Sequence, residues 1–229
     1  MTIVDRNARD RIAAEVRRFL DGETTAFEFD DAIFNIESTD LTVKDIVQRL
    51  WFHYDDCKDH RVTLSKPEWD YFQRLLLILE SDRHVIAERN RTHWGLTQLV
   101  AIIALVGFAL CAWQFGFGRQ LLAIAVPFGV ISMGISAWRH LSPPQPDDAA
   151  MALIPFSSVA EMRATYTSVG IFRKTPYRHE LADVRIRSPF MNAIMWIPTC
   201  IVWLMLSPAV LIFQMLPHRD SKTRVVAST

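Results

Sequence analysis

GLTQLVAIIALVGFALCAWQFGFGRQLLAIAVPFGVISMGISAW, residues 95–138, is the stretch on which the fold turns. From Leu96 to Phe115 only Thr97, Gln98 and Gln114 are polar, and no residue is charged. About 20 such residues in a helix reach across the roughly 30 Å hydrocarbon core of a bilayer. After the turn Gly116-Phe-Gly-Arg119 the pattern repeats from Leu121 to Trp138, again without an ionisable group. The connection is too short for anything but an antiparallel pair. A soluble protein can bury helices that are apolar all round, but the rest of this chain is too small to wrap two of them.

The flanks orient the hairpin. Trp94 and Trp138 fall at the ends that the hairpin brings together, and Trp113, Phe115 and Phe117 mark the other end, as aromatic belts do. Arg83, Arg89 and Arg91 precede the first span and Arg139 follows the second, whereas the turn carries only Arg119. The positive-inside rule then predicts a cytoplasmic N-terminus. Pro127 predicts a kink in the second span, and the pairs Ser132/Ser136 and Gly107/Cys111 would let helices approach closely.

Outward from the hairpin the composition divides. The 229 residues carry 25 basic and 25 acidic side chains, yet residues 1–91 hold 14 basic and 19 acidic ones, and the remainder 11 and 6. The acidic part reads as a soluble module, and the basic part lies where anionic phospholipids would be. The soluble part has no basic patch, so nucleic-acid binding is not expected. Cys57, Cys111 and Cys200 are odd in number and far apart, which implies no disulfide framework and suits a reducing cytoplasm. Met1 to Phe19 lacks the apolar core of a cleavable signal, so the first span is expected to direct insertion.

Residues 1–92 predict four amphipathic helices. Asp5–Leu20 places Ile12, Val16, Phe19 and Leu20 on one stripe and stops at Gly22. Thr25 with Glu28 is a capping-box pair opening the second helix, and Thr42 with Asp45 suggests a related start for the third. Ser65 with Glu68, and Pro67 in the first turn, opens the fourth, whose seam is Trp69, Phe72, Leu76 and Leu79. The fold class expected is all-α, a small cytosolic helical bundle followed by transmembrane helices.

One constellation in the module has the residue types for chemistry. On a third helix continued to residue 60, spacings of four and three put His53, Cys57 and His60 on one side with Asp56 beside them, a possible zinc or iron site that His84 could complete. A packed cysteine flanked by boundary histidines produces the same pattern, and one helix alone supplies too few ligands for a closed site. Asp30-Asp31, Asp55-Asp56 and Asp59 lack EF-hand spacing and read as a solvated face. No Gly-rich phosphate loop, nucleophile elbow or HExxH is present, so no cofactor is expected.

Phe27-Glu-Phe-Asp-Asp31, Leu50-Trp-Phe-His-Tyr-Asp-Asp-Cys-Lys-Asp-His60 and Trp69-Asp-Tyr-Phe-Gln-Arg-Leu-Leu76 together resemble an N-terminal helical module of uncharacterised bacterial membrane proteins, planctomycete-like in composition. The resemblance covers about the first third of the chain, and the family brings no established activity.

Beyond the hairpin of residues 93–140, residues 141–189 read as a basic cytosolic connector. Ser142-Pro-Pro-Gln-Pro-Asp-Asp148 is a stiff polar break, and Ser158 with Glu161 predicts a short helix to about Tyr166. Arg173, Lys174, Arg178, Arg185 and Arg187, interleaved with Phe172 and Tyr177, suit lipid headgroups or simply hold the loop inside. Residues 190–217 are uncharged but carry Pro198 and Pro208. A third transmembrane span, tilted and kinked, is the reading expected first, although it would send the C-terminus outward; the alternative, a re-entrant hairpin bending between the prolines, would keep the basic tail, residues 218–229, on the cytoplasmic side.

The function expected first is a non-enzymatic multi-pass protein of a bacterial inner membrane, its bundle docking a cytosolic protein, with homo-oligomers open. A metal sensor or enzyme on His53, Cys57 and His60 is one alternative. A channel or transporter subunit is another, although the spans lack the charges that mark ion paths; Gln98, Asn192, Thr199, Ser207 and Gln214 are its only polar candidates.

Overall fold

A computed structural model describes residues 4–55, 57–116, 118–141, 153–178, 180, 186 and 188–227. Asp56, Phe117, the break at 142–148, Arg185 and Arg187 lie outside the described residues. The chain is mostly helical and divides into two compact units.

The first unit, called the soluble unit after the sequence expectation for residues 1–92, comprises residues 1–88, 147–186 and 222–229. Its helices are α1 (Arg6–Leu20), α2 (Ala26–Phe34), α3 (Leu41–Trp51), α4 (Lys66–Glu80) and α7 (Val159–Val169). Their starts follow local chemistry. The Asp5 carboxylate caps α1 by accepting from Ala8 N–H at 3.0 Å. At α2, Thr25 and Glu28 bond reciprocally, at 2.9 and 3.4 Å, which satisfies two of the N–H groups a helix start leaves open. At α4 the Glu68 carboxylate accepts from Ser65 N–H at 2.7 Å. Gly22 follows α1 at φ +75°, a left-handed conformation that suits glycine.

The helix stripes meet in one core. Phe19, Phe29, Trp69 and Phe72 are fully buried, and Phe19 stacks on Phe29 with ring centroids 4.6 Å apart. Each such ring removed from water contributes about 1.5–3 kcal/mol. Residues 153–178 complete the unit. Phe156 joins the core, Trp69 Nε1 donates to the Thr175 carbonyl at 3.0 Å, and the Tyr177 ring meets Trp69 edge-on at 5.6 Å.

The second unit, residues 89–146 and 187–221, holds α5 (Leu96–Phe115), α6 (Gln120–Leu141), α8 (Pro189–Met205) and α9 (Ser207–Met215). α5 and α6 are long and apolar enough to cross a membrane, and only 22% of each span is buried in protein. α8 and α9 are bent 77° apart at Leu206. Pro208, in the first turn of α9, has no N–H to continue the ladder.

The partners of the bent pair trace its path along α6. Trp203 Nε1 donates to the Ser132 hydroxyl (3.1 Å), and the Ser207 hydroxyl donates to the Ala125 carbonyl (3.0 Å). α9 then climbs back, for Gln214 Nε2 donates to the Ser132 carbonyl (2.9 Å) and the Gln214 carbonyl accepts from Arg139 Nη2 (2.7 Å). The partners of the pair thus run down α6 from Ser132 to Ala125 at the bend, and those along α9 run back up to Arg139, an arrangement of the kind a re-entrant loop or a broken span makes. Its arms of 17 and 9 residues reach about 25 and 13 Å, each short of a bilayer core.

Two strands were not anticipated. β1 (His84–His93) and β2 (His218–Val226) form a two-stranded sheet, and each contributes residues to both units. β2 ends in the soluble unit, where Val225 is buried in the core and its N–H bonds the Glu161 carboxylate.

Candidate functional site

α2 and α3 turn Phe29, Ile33, Val43, Ile46 and Leu50 inward, which leaves a second set of apolar side chains outside. Phe34 is 79% exposed, Phe52 70% and Trp51 49%, and the last two rings lie 5.4 Å apart. Between the helices runs a groove of about 670 Å³, walled by Ile33, Phe34, Ile36, Val43, Val47 and Trp51. Its charged lining is two acids, Asp30 and Glu37, against one base, Lys44. The Asp30 carboxylate accepts the buried Tyr54 hydroxyl, which fixes that edge. Aromatic side chains in an apolar groove make the kind of surface that seats a partner's apolar residues. Sequence reading missed Phe34 and Trp51 as site residues, although two large rings beside the buried stripes were the available signal.

The His53, Cys57 and His60 set is placed differently from the helix face expected of it. α3 ends at Trp51, so none of the three is on the helix. The apolar stripe stops there, and the Asp55 carboxylate takes the Cys57 N–H at 2.9 Å, a side-chain bond that competes with helix formation. His53 packs its ring on Tyr71 and Phe72 and holds Nδ1 3.7 Å from Glu68. His60 accepts the Asp55 N–H at Nε2 (3.0 Å), and Cys57 is exposed. Among the described residues no three His, Cys, Asp or Glu side chains are grouped to hold a metal.

His84 lies elsewhere, in a buried polar cluster that the sequence did not reveal. Arg9, fully buried on α1, donates to Asp40 Oδ2 and to the carbonyls of Ser81 and Arg83, each at 2.7 Å. Asp40, rather than Thr42, caps α3, its Oδ1 accepting the Thr42 N–H at 2.9 Å. Burial raises the Asp40 pKa, but the hydrogen bond and charge of Arg9 outweigh it and hold the carboxyl below its ordinary value. His84 Nδ1 sits 3.4 Å from Arg9 Nη2, so it must accept there, and among the described residues its buried Nε2 has no partner. Burial, then the Arg9 charge, lowers the His84 pKa. The cluster ties α1, α3 and the start of β1 together.

In the membrane unit, Trp94, Trp113 and Trp138 are exposed on the surface. Arg139 is half-buried and turned inward, donating to the Gln214 carbonyl and, at 3.4 Å, to the Thr97 hydroxyl. A cation suits the last turn of α9, where carbonyls lack intrahelical partners. Ser132, Ser207 and Gln214 are buried and bonded to one another or to backbone, so they act as interhelical packing. Arg173, Lys174 and Arg178 belong to the soluble unit: Lys174 lies 3.0 Å from Asp70, Arg178 3.8 Å from Glu180, and Arg173 is exposed.

No protein-family model, curated protein or solved structure matches the chain, so the resemblance of its first third stands on the motifs quoted above.

Proposed function

We propose that the chain is a multi-pass protein of a bacterial cytoplasmic membrane that presents its soluble unit in the cytoplasm to dock another protein. The observation that carries the reading is the groove between α2 and α3, an aromatic-lined apolar surface on a unit tethered to membrane-capable helices. The basic flanks of the α5–α6 hairpin support a cytoplasmic soluble unit. The acids of the groove, Asp30 and Glu37, disfavour an anionic lipid surface and favour a partner element that is apolar on one face and basic at its edges.

Photo-crosslinking in cells tests the reading. A photoreactive residue at Phe34 is expected to give one discrete protein adduct that Val47→Glu abolishes, while the same residue at exposed Glu23, away from the groove, gives none. An identical adduct pattern from both positions would overturn it.

A further inference from the structure

A second cavity of the soluble unit, about 610 Å³, lies between α4 and α7, within the size range of small-molecule sites. Part of its lining is apolar: Leu77, Met162, and the rings of Tyr166 and Phe172, which meet at near right angles with centroids 6.1 Å apart. The rest is basic, with Arg74, Arg163 and Lys174 against the single carboxylate of Asp70. That carboxylate is already engaged, with Lys174 3.0 Å from Oδ1 and Lys66 bonded to Oδ2.

The two arginines are left over. Among the described residues neither Arg74 nor Arg163 forms an ion pair. Arg74 is held in place, because its Nε donates to the Ile154 carbonyl at 2.6 Å and its guanidinium lies 5.7 Å from the Tyr71 ring centre. Burial lowers its pKa by more than the nearby Asp70 charge raises it. Gln73, only 4% exposed, lies in the wall of the cavity and is fixed there by accepting the Thr175 N–H (3.0 Å).

We propose that this cavity binds a phosphate ester on an apolar body, with the phosphate at Arg74 and Arg163 and the body against Met162, Leu77 and the two rings. Guanidinium groups match phosphate oxygens in pairs, and two of them suit its several oxygens and charge better than they suit one carboxylate. Inorganic phosphate would leave the apolar lining unfilled. The same chemistry is offered by a phospholipid headgroup with its glycerol and acyl stems and by a soluble nucleotide, whose base would stack on Tyr166 or Phe172. The site is separate from the α2–α3 groove and does not depend on it.

Titration calorimetry on the full chain in an uncharged maltoside detergent tests the proposal, with inorganic phosphate, adenosine monophosphate and dihexanoyl phosphatidic acid as probes. At least one ester is expected to bind about tenfold or more tighter than inorganic phosphate. Arg163→Glu, at an exposed position that leaves the core intact, should weaken that ester about tenfold or more, while Thr167→Glu, equally exposed on the same helix, leaves it unchanged. Tighter binding of the phosphatidic acid assigns a lipid, and tighter binding of the nucleotide a soluble ester. The proposal is overturned if neither ester exceeds inorganic phosphate, or if both variants weaken binding equally, as a diffuse surface charge would require.

Discussion

At the scale of single residues, the soluble unit depends on a charge buried in its core. Arg9 and Asp40 are 0% and 1% exposed; beyond their mutual bond, Asp40 accepts from backbone and Arg9 donates to two carbonyls and to His84 Nδ1. Removing one partner strands the other. Asp40→Ala is expected to cost about 3–5 kcal/mol in denaturant unfolding of the full chain in mild detergent. Asp40→Asn keeps the cap of α3 and should cost about 1 kcal/mol less. His84 adds a pH dependence of definite sign. Its pKa lies below the ordinary 6.5 in the folded state, so the unfolded chain takes up this proton first as the pH falls. The contribution of His84 is complete above pH 6.5 and is lost as the pH drops toward the folded value. Asp40, held below 3.8, acts in the same sense at lower pH. The melting temperature should therefore decline in two stages on acidification, and His84→Asn should flatten the first alone. Arg9 was legible in principle, since it stands one turn before Ile12 on the apolar stripe of α1; charge alone argued against a core position.

At the scale of elements, close approach in the membrane unit rests on one glycine. A Cβ at Gly129 would sit 2.7 Å from Leu204 Cδ2 and 2.9 Å from its Cα, and backbone cannot yield as a side-chain tip can. Gly129→Ala should push α8 off α6 at a cost of about 1–3 kcal/mol, read as a lower thermal midpoint in detergent. Gly134→Ala, with no atom within 4 Å of the new Cβ, should leave the midpoint unchanged. Helix starts were the most legible elements, because the capping pairs Thr25/Glu28 and Ser65/Glu68 act within one turn. The cap of α3 was misassigned because Asp40 is held by Arg9, 31 residues away. The end of α3 was placed too late, and with it the common face for His53, Cys57 and His60. β1 and β2 were missed because their pairing joins segments more than a hundred residues apart, and neither stretch alternates cleanly enough to stand alone.

At the scale of the whole molecule, the apolar spans and the acidic helical module were read from composition and run length, which need no knowledge of tertiary contacts. The destination of residues 153–178 was not. Phe156, Tyr177 and the Thr175 carbonyl complete the core of the soluble unit; the Trp69–Thr175 and Leu64–Tyr177 bonds span 106 and 113 residues, and no local pattern announces them. The α2–α3 groove was hidden for a related reason, since it is the gap left after the stripes have turned inward. Val225 packs in the core that α1 and α4 build, and a re-entrant α8–α9 pair would put both termini on one side of a membrane, as the proposed cytoplasmic placement requires. The measurement that tests this account most directly is labelling with a membrane-impermeant maleimide, in a chain lacking Cys111 and Cys200. Exposed Cys57, and in separate Cys57→Ser chains Ala227→Cys and Arg119→Cys, report the soluble unit, the tail and the hairpin turn. The account predicts that Arg119→Cys reacts in intact spheroplasts, and that Cys57 and Ala227→Cys react only after permeabilisation; labelling of Ala227→Cys or Cys57 from outside would contradict it.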